Sequence, residues 1–397
     1  MNTILSRRSF LSTTVTAAAV MNIIPNYILG NVWGITSPGK DKQLLLDEQR
    51  TLLVKSLFTD KIPELLCPAL VHYDEKSAID KNRIEAHMAQ ISQYVKAFLL
   101  FGSTGDGWEL TDSEKNELLD FMIHLSGKYG FKILIGILKP ERGASLQGIK
   151  ETMANLHARY KGTNEIDSLR QANVCGFTVC PPKGENITQI EMLSDLSEIL
   201  DLKLPVALYQ LPQVTENEME PETVRILADK YPNFYLFKDT SGNDSVIRSN
   251  VDLGGVFTVR GAEGDYDKWV YNGDGGYSGF LLGSANCFAK EIAEVINYCK
   301  KSNYSEAKML SDRIASVVEE MMDNVSDITS GNAFTNANKC IDHIFAFGTN
   351  WNDFPMPMMH SGKRIPSQYV ANAFECMKKN AFDINLGYIK KPINSFN

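Results

Sequence analysis

Phe234-Tyr235-Leu236-Phe237-Lys238-Asp239-Thr240-Ser241-Gly242 is the stretch on which the reading of this chain turns. Four apolar or aromatic residues run straight into a lysine, and a small, polar tail ending in glycine follows. A short apolar run without polar alternation is the mark of a parallel strand covered on both sides, and Asp-Thr-Ser-Gly is turn chemistry. The same unit recurs in both directions along the chain. Strands are expected at Leu65–Val71, Ala97–Phe101, Lys132–Leu138, Val174–Cys180, Pro205–Tyr209, Phe234–Lys238, Val256–Arg260 and Tyr277–Leu282. Helical segments separate most of them. One opens on the capping box Thr111-Asp112-Ser113-Glu114 and then repeats Leu118, Met122 and Leu125 on one face.

Eight strands alternating with helices over about 230 residues predict an α/β fold, the (β/α)8 TIM barrel. A doubly wound sheet fits less well, because no Gly-x-Gly-x-x-Gly follows the first strand. The polar segment Lys161–Arg170 reads as an insertion before the fourth strand. Beyond Asn286 only helices are expected, at Glu291–Lys301, Ser305–Met322, Phe334–Phe347 and Gln368–Lys379. The organisation expected is an export signal over 1–30, a linker and lead-in over 31–60, the barrel over 61–300 and a C-terminal helical extension over 301–397.

Of the 397 residues, 44% are hydrophobic and 22% charged, an ordinary globular composition. The net charge of −8 disfavours a nucleic-acid partner, since phosphate binding needs a basic face. No run of about 20 apolar residues is present, so no membrane-spanning helix is expected in the mature chain. Ser6-Arg7-Arg8-Ser9-Phe10-Leu11, followed by an Ala- and Thr-rich apolar run, resembles a twin-arginine export signal and implies a periplasmic protein. Read as an ordinary tail, the same residues leave the protein cytoplasmic. The seven cysteines include no Cys-x-x-Cys pair and the six histidines no helical His-x-x-x-His, so no metal is indicated. Cys175 and Cys180 lie an odd number of residues apart in one strand. They are therefore expected on opposite faces, unable to bridge.

In such barrels the reactive groups sit at the C-terminal ends of strands. Lys238 emerges there behind an apolar run, so its stem should be desolvated. Desolvation disfavours the ammonium and yields the neutral amine that attacks a ketone. Ser103 and Thr104, between Gly102 and Gly105, supply two hydroxyls and a close backbone approach suited to a carboxylate. Tyr209, just ahead of Pro212, is a phenol able both to donate and to accept a proton.

Taken together, Gly102-Ser103-Thr104-Gly105 with an acid next, Leu110-Thr111 and Glu114, Tyr209-Gln210-Leu211-Pro212, and Lys238-Asp239-Thr240-Ser241-Gly242 resemble the dihydrodipicolinate synthase and N-acetylneuraminate lyase family of pyruvate-dependent class I aldolases. The likeness runs from about Pro63 to Gly283-Ser284-Ala285-Asn286. It implies Lys238 as the Schiff-base lysine, Tyr209 as the general acid/base, and Ser103 and Thr104 as binders of the keto-acid carboxylate. It also implies a homo-oligomer, tetramer or dimer. The full candidate substrate-binding set is Ser103, Thr104, Gly105, Gly242, Glu263 and Lys183. No cofactor is expected, because the iminium itself serves as electron sink.

Some positions depart from the pattern. Cys180-Pro181-Pro182-Lys183 stands where the synthase branch has a Tyr-Tyr pair, which puts Lys183 near the position of the missing relay tyrosine. Val214 replaces the arginine that would pair with a second substrate carboxylate. Gly261-Ala262-Glu263-Gly264 differs from the Gly-x-Asp-Glu of the sialic-acid branch. The activity expected is carbon–carbon cleavage or formation in a sugar-acid or sialic-acid-like 2-keto acid, with pyruvate as product or donor and an aldehyde or sugar-derived partner. The alternatives are a keto-deoxy sugar acid dehydratase on the same lysine, and a catalytically weak keto-acid-binding protein.

Overall fold

The computed structural model of the protein describes residues 40–271 and 275–389, so the twin-arginine segment lies outside the described residues. The chain enters through helix α1 (Lys40–Leu57) and then lays down strand β1 (Leu65–Pro68). Helix α2 (Lys81–Ile91), β2 (Ala97–Leu100), α3 (Asp112–Tyr129) and β3 (Lys132–Gly136) follow. Next come α4 (Ala144–Tyr160), α5 (Glu165–Gln171), β4 (Val174–Val179), α6 (Gln189–Leu200) and β5 (Val206–Gln210). The barrel is completed by α7 (Pro212–Thr215), α8 (Pro221–Lys230), β6 (Phe234–Asp239), α9 (Ser245–Arg248), β7 (Phe257–Arg260) and β8 (Gly279–Leu281). All eight strands pair in parallel with their sequence neighbours, and β8 closes on β1 through Leu65↔Phe280 and Leu66↔Leu281. The expected (β/α)8 barrel is therefore the observed one. Helices α10 (Ala285–Lys300), α11 (Tyr304–Asn324), α12 (Ala333–Phe347) and α13 (Ser367–Lys379) form the outer layer after β8 and the C-terminal extension. No helix among the described residues is long and apolar enough to cross a membrane.

The period of two in each strand divides the core. Leu66, Leu99, Leu134, Ala207, Leu236, Val259 and Leu281 point inward and pack as one layer of the barrel interior. Their neighbours Leu65, Phe98, Ile133, Phe177, Val206, Phe237 and Phe280 face the helices. Leu57, Phe58 and Ile62 fill the N-terminal end of the interior. There α1 also buries Arg50, 1% exposed, whose guanidinium donates to the carbonyls of Phe234 (2.9 Å), Ala228 (2.6 Å), Tyr231 (3.3 Å) and Gly254. The segment read as a lead-in thus contains a helix that seats on the base of the barrel.

Two expectations need correction. Lys161–Arg170, expected as a polar insertion, carries a helix of its own: Asn164 accepts from the Asp167 N–H and starts α5, which packs onto β4. Cys175 and Cys180 also share a face. Ile133 pairs with Val174 but Leu134 with Gly176, so one extra residue, a β-bulge, resets the alternation of β4. Cys175 joins the interior layer and Cys180 lies above it beside Tyr209. All seven thiols are free.

A buried polar network ties the extension to the mouth of the barrel. The Asn286 side chain accepts from the Leu70 N–H (3.1 Å) and donates to the Pro68 and Gly283 carbonyls (2.9 Å each), pinning the ends of β1 and β8. His87 Nε2 lies 2.8 Å from the Asn286 carbonyl, which makes that nitrogen the protonated one; Nδ1 then accepts from His72 Nε2 at 3.3 Å. Burial, the largest influence, keeps both imidazoles below their usual range and therefore neutral. Asp342 of α12 closes the chain, paired with Arg83 and accepting from the Tyr388 hydroxyl (2.7 Å). His72, His87 and Asp342 come within ligand distance of one another. Arg83 already supplies the positive charge, however, and a metal ion would have to displace these hydrogen bonds.

Candidate active site

Strand register decides what projects from the C-terminal end of the barrel. Tyr209 follows the inward Ala207, Lys238 follows the inward Leu236, and the two residues are direct partners across β5 and β6. The Lys238 amine sits 4.0 Å from the centre of the Tyr209 ring and is 4% exposed. A side chain on Gly261 of the neighbouring turn would place its Cβ 2.7 Å from Lys238 Cε, so the lysine stem passes only because that residue is glycine.

The electrostatics favour the free amine. Burial lowers the Lys238 pKa from 10.5 to about 7, while Cys180, Glu263 and Cys67 oppose that shift. A ring face attracts an ammonium by about 0.5–2 kcal/mol. The fall to about 7 represents a larger cost of charging, roughly 5 kcal/mol, so desolvation wins. Tyr209 is 3% exposed, and burial, reinforced by Cys180, holds its phenol well above the usual range. It therefore keeps its proton at neutral pH and enters chemistry as a donor and relay rather than as a phenolate.

The turn expected to cradle a carboxylate, Ser103–Gly105, is a single 3-10 turn after β2. A Cβ on Gly105 would fall 2.4 Å from the Ala69 carbonyl oxygen, which fixes glycine there. Trp108 Nε1 donates to Ser103 Oγ at 3.0 Å. The indole is a donor only, so the serine keeps its own proton to offer an anion. Asp106, in a left-handed conformation (φ 50°), accepts from the Tyr73 hydroxyl (3.0 Å) and from Lys339 Nζ of α12 (3.1 Å).

Glu263 is fixed by the Ser284 N–H (3.0 Å), the Ser284 hydroxyl (2.6 Å) and the Tyr266 hydroxyl (2.8 Å). Arg260 grips the carbonyls on either side of it, Ala262 (2.8 Å) and Gly264 (3.0 Å), and is itself held by Asp244 at 3.0 Å. Gly283 marks the meeting point: a Cβ there would lie 3.1 Å from Thr104 Oγ1, 3.5 Å from Glu263 Oε1 and 3.6 Å from Asn338 Nδ2. Beside it a cavity of about 10 Å³, room for about one water, separates Glu263, Ser284 and Asn338 from Met322 and Phe334.

The structure thus gathers Lys238 and Tyr209, and at the β8 turn Thr104 and Glu263, with Ser103 and Gly105 in the adjoining turn. Two other expected binders stand apart. Lys183 is 44% exposed and paired with Glu216 at 2.9 Å, because the Pro181-Pro182 segment carries it to the rim. Gly242, at φ 74°, serves the turn after β6, and a Cβ there would meet nothing within 4 Å. Val214 packs on the small apolar cluster of Leu138, Cys180, Tyr209 and Leu211. Sequence reasoning missed Trp108, Asn338 and Lys339. For Asn338 and Lys339 the available signal was the density of polar residues in a helix otherwise apolar enough to be buried.

The depressed lysine pKa has a consequence for stability. The unfolded chain, at 10.5, binds a proton that the folded chain releases above about 7. The lysine therefore costs most below about pH 7, and that cost fades as pH rises toward 10.5. Lys238→Met is expected to raise the melting temperature most near pH 6, with the gain shrinking steadily toward pH 10; a gain independent of pH would contradict the assignment.

Comparison with known proteins agrees with this fold. A model of the dihydrodipicolinate synthetase family matches residues 167–333. The 4-hydroxy-tetrahydrodipicolinate synthase of Agrobacterium fabrum is 23% identical over 262 residues, 65% of this chain and 81% of that one. That of Sodalis glossinidius is 24% identical over 324 residues, 80% and 99% of the two chains. Among solved structures, the enzyme of Cyanidioschyzon merolae with lysine bound superposes with a TM-score of 0.61 at 17% identity, covering 80% of this chain and 98% of its own. YagE, a prophage protein of the dihydrodipicolinic acid synthase family from E. coli K12 in complex with pyruvate, gives 0.59 at 14% identity, with coverage of 80% and 98%. Over residues 167–333 the chain is thus similar to the dihydrodipicolinate synthetase family, and the curated relatives that it resembles are named 4-hydroxy-tetrahydrodipicolinate synthases.

Proposed function

We propose that this protein makes or breaks the C3–C4 bond of a 2-keto acid derived from a sugar, with pyruvate as the three-carbon product or donor. The observation that carries the reading is the buried amine of Lys238, with a pKa brought to about 7 and seated against Tyr209. The neutral amine adds to the C2 ketone and water leaves, giving an iminium. Cleavage of C3–C4 sends its electron pair into that iminium and forms an enamine, while the proton on the C4 hydroxyl passes by way of Tyr209. Protonation at C3 and hydrolysis then return pyruvate and the free lysine. Dehydration on the same iminium would instead expel a hydroxyl, and product analysis separates the two.

The site favours this reading over condensation with aspartate semialdehyde. The position that would meet a second carboxylate, Val214, is packed in an apolar cluster, and the nearby Lys183 is engaged with Glu216. A missing charge-assisted hydrogen bond lowers affinity by roughly 10- to 150-fold. We also propose that Arg7 and Arg8 direct export to the periplasm and that the protein works as a homo-oligomer.

Pyruvate with borohydride is expected to leave a stable mass on Lys238, and Tyr209→Phe to retain that trapping while turnover falls about 100-fold. In a coupled assay, pyruvate and aspartate semialdehyde are expected to give only residual turnover. An adduct on another lysine rejects the Schiff-base assignment, and turnover of about 10 per second with aspartate semialdehyde rejects the substrate class. For export, a reporter fused after residue 40 should reach the periplasm only with Arg7 and Arg8 intact; export of the Arg7→Lys, Arg8→Lys variant would rule out the twin-arginine route.

A further inference from the structure

A carboxylate cradle made from a turn must present donors to the anion and keep its own carbonyl oxygens away. In this turn the Ser103 and Thr104 carbonyls are held by the C-terminal extension, more than 200 residues further along the chain. Asn332 Nδ2 donates to the Ser103 carbonyl at 2.7 Å, and Thr335 Oγ1 lies 3.1 Å from both the Ser103 and Thr104 carbonyls. One turn further along α12, Lys339 Nζ donates to Asp106 and to the Met358 carbonyl (3.2 Å). Asn332 is also the cap of α12, accepting from the Thr335 N–H at 2.9 Å, so its amide orientation is fixed by both partners.

We infer that Asn332 and Thr335 are positioning residues for keto-acid recognition: they hold the Ser103 and Thr104 carbonyls against α12 and so set the turn to receive a carboxylate. This rests on the Schiff-base reading of Lys238 above. In a planar trans peptide the N–H is antiparallel to the carbonyl. Fixing the Ser103 oxygen toward α12 therefore puts the Thr104 N–H on the opposite side. The Thr104 carbonyl is fixed likewise, while the Gly105 N–H is taken by the Gly102 carbonyl at 3.0 Å. Released from α12, the Ser103–Thr104 peptide is free to rotate, and a carbonyl turned toward the anion would repel it. The extension is on this account part of the binding site without touching substrate.

The test is the pyruvate concentration that half-saturates borohydride trapping on Lys238 in the full chain. Asn332→Asp keeps the helix cap but replaces the donor with an acceptor. It should raise half-saturation about 10-fold or more, with trapped yield at saturating pyruvate and melting temperature near wild type. Thr335→Val should shift in the same direction, and Thr335→Ser, which retains the hydroxyl, should behave as wild type. Unchanged half-saturation in both Asn332→Asp and Thr335→Val overturns the inference, as does a loss in Thr335→Ser equal to that in Thr335→Val. Trapping in none of the proteins, wild type included, overturns the Schiff-base reading and this inference with it.

Discussion

Desolvation of one amine is the constraint on which the rest of the molecule depends. Lys238 has a large free-amine fraction near neutral pH because eight paired strands exclude water from its stem and Leu236, directly beneath it, belongs to the interior layer. Every strand needs the correct register for this, since a shift of one residue in β6 would turn the lysine out among the helices. The barrel bears a cost for holding the group, and stability and reactivity are opposed at this position. The compensation lies elsewhere: in the apolar layers, in the Arg50 clamp at the base, and in the pinning of β1 and β8 by Asn286 at the mouth.

The C-terminal extension is woven into the barrel mouth through its helix α12. Asn332 and Thr335 reach the cradle, Lys339 reaches Asp106, Asn338 reaches the β8 turn, and Asp342 reaches the His72–His87 chain. A buried ion pair such as Lys339–Asp106 contributes little net stability once desolvation is counted, although losing one partner alone is costly. Its stronger effect is to give the extension one seating on the barrel and so one geometry of the cradle.

Much of this was legible in the sequence. Parallel strands covered on both faces must be short and apolar, so all eight could be placed from their runs, and a lysine after such a run stands out. The ends were less legible. Leu65–Val71 reads as strand throughout, but β1 stops at Pro68 because the Leu70 N–H is taken by Asn286. The bulge beside Cys175 was invisible to a strict period of two. Lys183 was placed by its position in the chain, whereas the Glu216 carboxylate determines where its charge goes. Asn332, Thr335 and Lys339 carry no local motif. Their partners lie 229 to 233 residues away, and only the closed fold brings them together.

The most direct test of the central claim is the rate of imine formation at Lys238 as a function of pH, read by rapid quenching with borohydride at fixed, subsaturating pyruvate. A buried amine with a pKa near 7 predicts a rate that rises through a midpoint close to neutrality and is level by about pH 9. A rate that still climbs tenfold per pH unit between 8 and 10 would mean that the lysine is solvated and protonated like any other, and would contradict the account.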